Sequence, residues 1–164
     1  MVPEARKFIY GGTLTVAVLA TALLSDYFAI LLALGPTVYL LSLGSRPDEI
    51  SAKDVLISHL TAIIAGWIAY LLLVQGIEPM TVAPQSIESF RVIASMTLAT
   101  GLTAIVLVRF TAQIITAYVT ATIVALGILP SLPAIGALVV GVALLTGLHA
   151  IFQDVGEWSS GVPP

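Results

Sequence analysis

Six stretches of this chain are apolar, almost free of charge and close to the length of a membrane-crossing helix. A helix that crosses a hydrocarbon core of about 30 Å needs roughly 17–25 mostly apolar residues. The charged residues fall between these stretches or at their ends. We therefore predict six transmembrane helices, at Phe8–Leu24, Phe28–Leu43, Val55–Val74, Arg91–Val108, Ala112–Leu129 and Ala134–Phe152.

The composition excludes several classes of protein. Only 9% of the 164 residues are charged and 59% are hydrophobic, whereas a soluble domain has about 25% charged residues. Six Lys and Arg against nine Asp and Glu form no basic patch for nucleic acid. The chain has no cysteine and two histidines, so neither a disulfide framework nor a metal site is expected. We predict one transmembrane domain, residues 1–164, in the lipid bilayer.

The basic residues predict the orientation of the protein. Short cytoplasmic loops of membrane proteins are enriched in Lys and Arg. Five of the six basic residues lie on one side of the predicted topology, and the turns at Asp26, Glu78–Glu88 and Pro130–Pro133 lie on the other. We therefore expect a multi-pass protein of the cell (plasma) membrane with both termini cytoplasmic. The five are Arg6, Lys7, Arg46, Lys53 and Arg109.

The second and fifth stretches contain unusual residues for helices in lipid. The second contains Gly35-Pro36-Thr37, and proline removes a backbone donor within a helix. Two interpretations are open: a half-helix that begins there and directs its N–H groups at an anion, or a simple proline kink. In the fifth stretch, Gln113, Thr116 and Thr120 share one helical face, which we expect to point inward.

A weak internal repeat relates the two halves of the chain. A shift of 83 residues superimposes the turn at Asp26-Tyr27 on Arg109-Phe110 and aligns several identical residues. Each half contains three predicted spans, and an odd number forces the halves into opposite orientations. This inverted-repeat plan is common in transporters, whose sites lie at the repeat interface. The identical pairs are Leu19/Leu102, Leu24/Leu107, Ala29/Ala112, Thr37/Thr120, Leu43/Leu126 and Gly44/Gly127.

Three segments resemble the HPP integral membrane family, which is named for a His-Pro-Pro triplet. Leu34–Tyr39 (Leu-Gly-Pro-Thr-Val-Tyr) is similar to a Leu-Gly-Pro-Thr-Ala-Phe segment in the family's second span. Lys53–His59 resembles its Arg-Asn-Val-Ile-Gly-Gly-His, and Ala117–Leu129 resembles the segment after the triplet. The triplet itself is absent, because Ala112–Thr116 reads Ala-Gln-Ile-Ile-Thr. The resemblance implies transport of a small inorganic anion such as nitrite.

The candidate site consists of polar residues within the predicted spans. His59 lies inside the third span, where an ionisable residue is a functional hypothesis by default; the other interpretation is a histidine that bonds a neighbouring helix. We predict no catalytic residues, no metal and no cofactor, because no nucleophile–base pair or pair of carboxylates lies within a span. The predicted substrate or pore residues are Gly35, Pro36, Thr37, His59, Gln113, Thr116, Tyr118 and Thr120.

Two functions fit this pattern. The first is a small transporter or channel, in which a solute or anion passes near Gly35–Thr37, His59 and Thr116–Thr120. The second is a membrane module that transports nothing and serves as an assembly or sensor partner. Six short spans enclose a cavity only partly, which favours a homo-oligomer.

Overall fold

The computed structural model describes residues 3–43, 50–110 and 114–160. The structure is 83% helix, and these residues contain no strand. Six α-helices follow one another, with a short 3₁₀ helix at Pro79–Thr81 in the loop between the third and fourth. They are α1 (Pro3–Ser25), α2 (Ala29–Leu43), α3 (Ala52–Leu73), α4 (Ile87–Phe110), α5 (Thr116–Ala125) and α6 (Leu132–Ser160).

Four of the helices, α1, α3, α4 and α6, are long and apolar enough to cross a membrane. Many of their large apolar side chains face outward, as in Phe8, which is 79% exposed; lipid solvates such a surface. The predicted all-helical membrane architecture is therefore confirmed at this level. The other two helices are shorter, at 15 residues for α2 and 10 residues for α5. They measure about 22 Å and 15 Å at the usual rise per residue.

The fifth helix is shorter than the sequence predicts. It ends at Ala125, so the predicted continuation to Leu129 is wrong. Gly127 has a φ of +75°, a conformation that favours glycine and ends helices. The ring of Tyr70 occupies the space beside Gly127, since a Cβ there would lie 2.7 Å from Tyr70 Cε2. The predicted start at Ala112 lies outside the described residues.

The second helix is continuous through Pro36. A half-helix beginning at Gly35–Thr37 is therefore wrong, and the simpler interpretation, a proline inside one helix, holds. Membrane helices tolerate such prolines where neighbouring groups satisfy the freed backbone.

The helices pack so that α2, α3 and α5 meet inside the bundle. α3 packs on α4, α5 and α6, and α2 packs on α1, α5 and α6. At one end of the bundle, Tyr27 in the α1–α2 turn bonds Ser131 before α6, with 3.3 Å between the two hydroxyl oxygens. At the other end, Tyr10 of α1 reaches His149 of α6. The turns at Asp26 and Pro130 thus share one end, as the sequence predicts.

A glycine allows α3 and α5 to approach closely. A Cβ on Gly66 would lie 2.6 Å from the carbonyl oxygen of Ala121 and 2.8 Å from Cβ of Val124. Close approach through small residues is how membrane helices gain packing energy, because lipid provides no hydrophobic driving force between them.

We expect Gly66→Ala to destabilise the fold, because the added methyl group meets backbone that has no room to move. Overpacking of this kind costs about 1–3 kcal/mol. The matched control is Gly101→Ala in α4, whose Cβ meets nothing within 4 Å and which gains helix propensity. Thermal unfolding in detergent measures both variants. Equal melting temperatures for the two variants would contradict this close contact.

Candidate functional site

A cluster of polar side chains lies where α2, α3 and α5 meet. His59 comes from α3, Thr37 from α2, and Thr116 and Thr120 from α5. Thr37, His59 and Thr120 are 0% exposed, and Thr116 is half-buried. We call these four residues the His59 cluster. The structure therefore brings together four of the eight residues that the sequence predicted for the site.

Both nitrogens of the His59 ring contact threonine hydroxyls. Nε2 lies 2.9 Å from Oγ1 of Thr37, and Nδ1 lies 3.1 Å from Oγ1 of Thr120. Since Thr37 is on α2 and Thr120 on α5, one imidazole ring on α3 joins three helices. Each threonine also has a second partner, which extends the cluster in both directions.

The outer bonds of the cluster connect α2 and α5 directly. Thr37 donates to Oγ1 of Thr116 at 2.7 Å, and Thr120 donates to the carbonyl oxygen of Ala33 at 2.9 Å. The result is a continuous series of bonds: Thr116, Thr37, His59, Thr120 and then Ala33 of α2. Among the described residues, no buried polar side-chain atom lacks a hydrogen-bond partner.

The acceptor at Ala33 lies in the turn that Pro36 disturbs. Proline has no N–H group, so the carbonyl of Leu32 loses its usual helical donor. The donor from Thr120 reaches the next carbonyl, that of Ala33. A threonine on a neighbouring helix is one of the groups that satisfy backbone near a proline in a membrane. Pro36 thus lies next to Thr37 of the cluster, and no hydrogen bond joins it to the ring.

The remaining predicted residues lie elsewhere. Gly35 lines a depression of about 140 Å³ between α1 and α2, together with Thr15, Val18, Leu31 and Val38. Tyr118 is half-buried on α5, and its carbonyl accepts from Thr122. Gln113 lies outside the described residues. The predicted shared face of Thr116 and Thr120 is confirmed, because both bond α2.

A second polar cluster was not predicted from the sequence. His149 of α6 contacts the Tyr10 hydroxyl through Nδ1 at 2.6 Å and the Ile50 carbonyl through Nε2 at 2.8 Å. Gln153 donates to the same carbonyl at 2.8 Å. These bonds hold the ends of α1 and α6 to the segment before α3. The residues of this second cluster are far apart in the chain. The sequence therefore gives one indication of the cluster, which is the position of His149 near the end of the sixth predicted span.

The His59 cluster has groups that both donate and accept. Threonine hydroxyls do either, and a neutral imidazole does one at each nitrogen. Such groups bind an anion through O–H and N–H donors, exchange protons, or simply hold helices together. Comparison with protein-family models, with curated proteins and with solved structures finds no match to this chain, so its function is inferred from this geometry.

Replacing Thr120 by Val should destabilise the protein more than the same change elsewhere. The variant leaves Nδ1 of His59 and the Ala33 carbonyl without this partner, and a buried unpaired group costs about 1–3 kcal/mol. The control is Thr103→Val in α4, equally buried at 0% exposure, whose hydroxyl bonds only the Ala99 carbonyl of its own helix. Chemical or thermal unfolding in detergent provides the comparison. A Thr120 variant as stable as the Thr103 variant would show that the cluster contributes nothing to stability.

Proposed function

We propose that this protein is a small membrane transporter or channel for a small inorganic anion such as nitrite, with the His59 cluster at its solute pathway. One observation supports this most strongly. The two short helices, α2 and α5, occupy corresponding positions in the two halves and meet at a buried polar cluster. A pair of short or Pro-interrupted apolar segments in corresponding positions is the best sequence-level indication of a transporter binding site.

We further propose that the halves α1–α3 and α4–α6 form an inverted repeat. The packing supports this, since exchanging α1 with α4, α2 with α5 and α3 with α6 maps the helix contacts onto one another. α1 packs on α2 and α6, while α4 packs on α5 and α3; α2 packs on α6, while α5 packs on α3. The α2–α5 and α3–α6 contacts map onto themselves.

Particular contacts also repeat at the shift of 83 residues. Thr37 and Thr120 correspond under this shift, and they bond opposite nitrogens of the same ring. Ser42 corresponds to Ala125 in the same way. The backbone of Gly11 in α1 lies so close to Ser42 that a Cβ would be 2.8 Å from the Ser42 Cβ. The shift takes Gly11 to Ala94, and its neighbour Ser95 in α4 donates to the Ala125 carbonyl at 2.9 Å.

Transport requires that the bonds within the cluster give way to bonds with the solute. The described arrangement is closed, because Thr37, His59 and Thr120 are fully buried and bonded to one another. Movement of α5 away from α2 would expose the O–H and N–H donors of these residues together. Donors of this kind bind oxyanions, and the resemblance of Leu34–Tyr39 and Lys53–His59 to the HPP family supports nitrite as the solute.

The same full pairing favours one alternative, a membrane module that transports nothing. A histidine with both nitrogens bonded holds three helices together without any solute. In that function the cluster stabilises the bundle for assembly with a partner or for sensing. Flux and stability measurements distinguish the two functions.

Purified protein in proteoliposomes should carry at least one of nitrite, nitrate, formate and chloride. His59→Ala should reduce that flux about tenfold or more, because a hydrogen bond to a charged group contributes about 1.5–3 kcal/mol. Thr103→Val should leave the flux unchanged. If folded wild-type protein carries none of these anions, the non-transporting module is supported instead. An unchanged flux in folded His59→Ala protein would remove His59 from the pathway.

An odd number of crossings by α4, α5 and α6, with a cytoplasmic C-terminus, can be tested by cysteine labelling, since the chain has no native cysteine. Ala83→Cys and Asp154→Cys place single thiols at exposed positions before α4 and in α6. We expect a membrane-impermeant maleimide to label Cys at position 83 in intact cells, and Cys at position 154 only after permeabilisation. Labelling of both from outside would contradict three crossings by α4, α5 and α6, because an even number of crossings would then separate the two positions.

A further inference from the structure

The hydrogen bonds around His59 fit an imidazole ring with either one proton or two. Thr120 directs its proton at the Ala33 carbonyl, which only accepts, and Thr37 directs its proton at Thr116. A hydroxyl has a single proton. With these two directions, both threonine oxygens face the ring as acceptors, and both ring contacts are complete when Nδ1 and Nε2 each carry a proton. This is the doubly protonated imidazolium.

A neutral ring is bonded equally well after one reversal. Nδ1 keeps its proton, because the Thr120 proton remains on the Ala33 carbonyl. Nε2 then accepts from Thr37, and Thr37 accepts from Thr116. The cluster accommodates the ring in either state, and the two arrangements differ only in the direction of the Thr37–Thr116 bond and in one proton.

The reversal follows from a proton transfer along the same bonds. A proton from water binds the oxygen of half-buried Thr116, whose original O–H proton passes to Thr37. The Thr37 proton that faced Nε2 passes to that nitrogen at the same time. The proton gained by Thr37 now points back at Thr116, which is the direction in the structure. Release of the proton reverses each step.

We infer that His59 is a proton-binding site that is loaded through Thr116 and Thr37, and that a proton binds together with the transported anion. This inference rests on the proposed function and makes the protein a proton–anion symporter. A charge inside the membrane is costly unless it is paired. An anion held by a protonated His59 compensates that charge, so each ion favours binding of the other.

The surroundings of the ring provide no other counter-charge among the described residues. The hydrogen bonds of the ring go to Thr37 and Thr120 alone. The charged groups on the surrounding helices lie near helix ends, and no other titratable side chain among the described residues hydrogen-bonds the ring. Those on α2 to α6 are Tyr39, Lys53, Asp54, Tyr70, Glu88, Arg91, Arg109, Tyr118, His149 and Asp154.

The test combines nitrite flux with proton movement in proteoliposomes that contain a pH-sensitive dye, with protein-free vesicles as the control for leakage of the free acid. In the wild type, an inward nitrite gradient should acidify the lumen. His59→Gln, which hydrogen-bonds but holds no extra proton, should lose the acidification, and Thr116→Val should slow it. Thr103→Val should behave as the wild type. Nitrite flux without acidification in the wild type would overturn the symport inference and leave transport intact.

Nitrogen-15 NMR of the histidine rings, in protein without a histidine tag, makes the proton site testable without flux. His59→Gln identifies the His59 signals, since the chain has two histidines. With nitrite present, His59 should gain its second proton as the pH falls from about 8 to about 5, and Thr116→Val should slow the exchange. A His59 ring that stays neutral throughout would overturn the proton site. A ring that gains the proton in protein without flux would support the proton site and reject the transport function.

Discussion

Hydrocarbon offers no hydrogen bonds, so each polar group that this chain places inside the membrane must be bonded by another part of the chain. The arrangement of α2, α3 and α5 follows from that requirement. Pro36 disturbs the backbone of α2, and α5 supplies a donor from Thr120 to the Ala33 carbonyl beside it. The ring of His59 in turn requires partners at both nitrogens, and the threonines of α2 and α5 are those partners.

This requirement explains why part of the site could be predicted from the sequence. In so apolar a chain, the interior polar groups are few, and each has few possible partners. Thr37, His59 and Thr120 lie within their stretches, so a shared inward position could be predicted, whereas the bonds that join them could not. The positions of α1, α3, α4 and α6 also follow from the sequence, because uninterrupted apolar residues both form helices and define the membrane span, although each helix begins before its predicted span.

The features that could not be predicted depend on residues distant in the chain. The end of α5 depends on Gly127 and on the Tyr70 ring of α3 beside it. α2 continues through Pro36, which a local rule for proline does not predict, because the packing of neighbouring helices also determines whether a helix continues. The bonds from His149 to Tyr10 and Ile50 join three separate segments, and no spacing along the chain relates those residues.

The two buried histidines show how the chemistry of a partner determines what a ring can do. Nε2 of His149 faces the Ile50 carbonyl, which only accepts, so this nitrogen carries the proton. Nδ1 contacts the Tyr10 hydroxyl, so one of the two bonds of this ring has a fixed direction. His59 faces hydroxyls at both nitrogens, and hydroxyls donate or accept. The Thr37 hydroxyl can reverse because its other partner, Thr116, is also a hydroxyl. A fixed ring suits a structural connection between helices, whereas a ring whose partners adjust to its proton suits a site at which ions bind and leave.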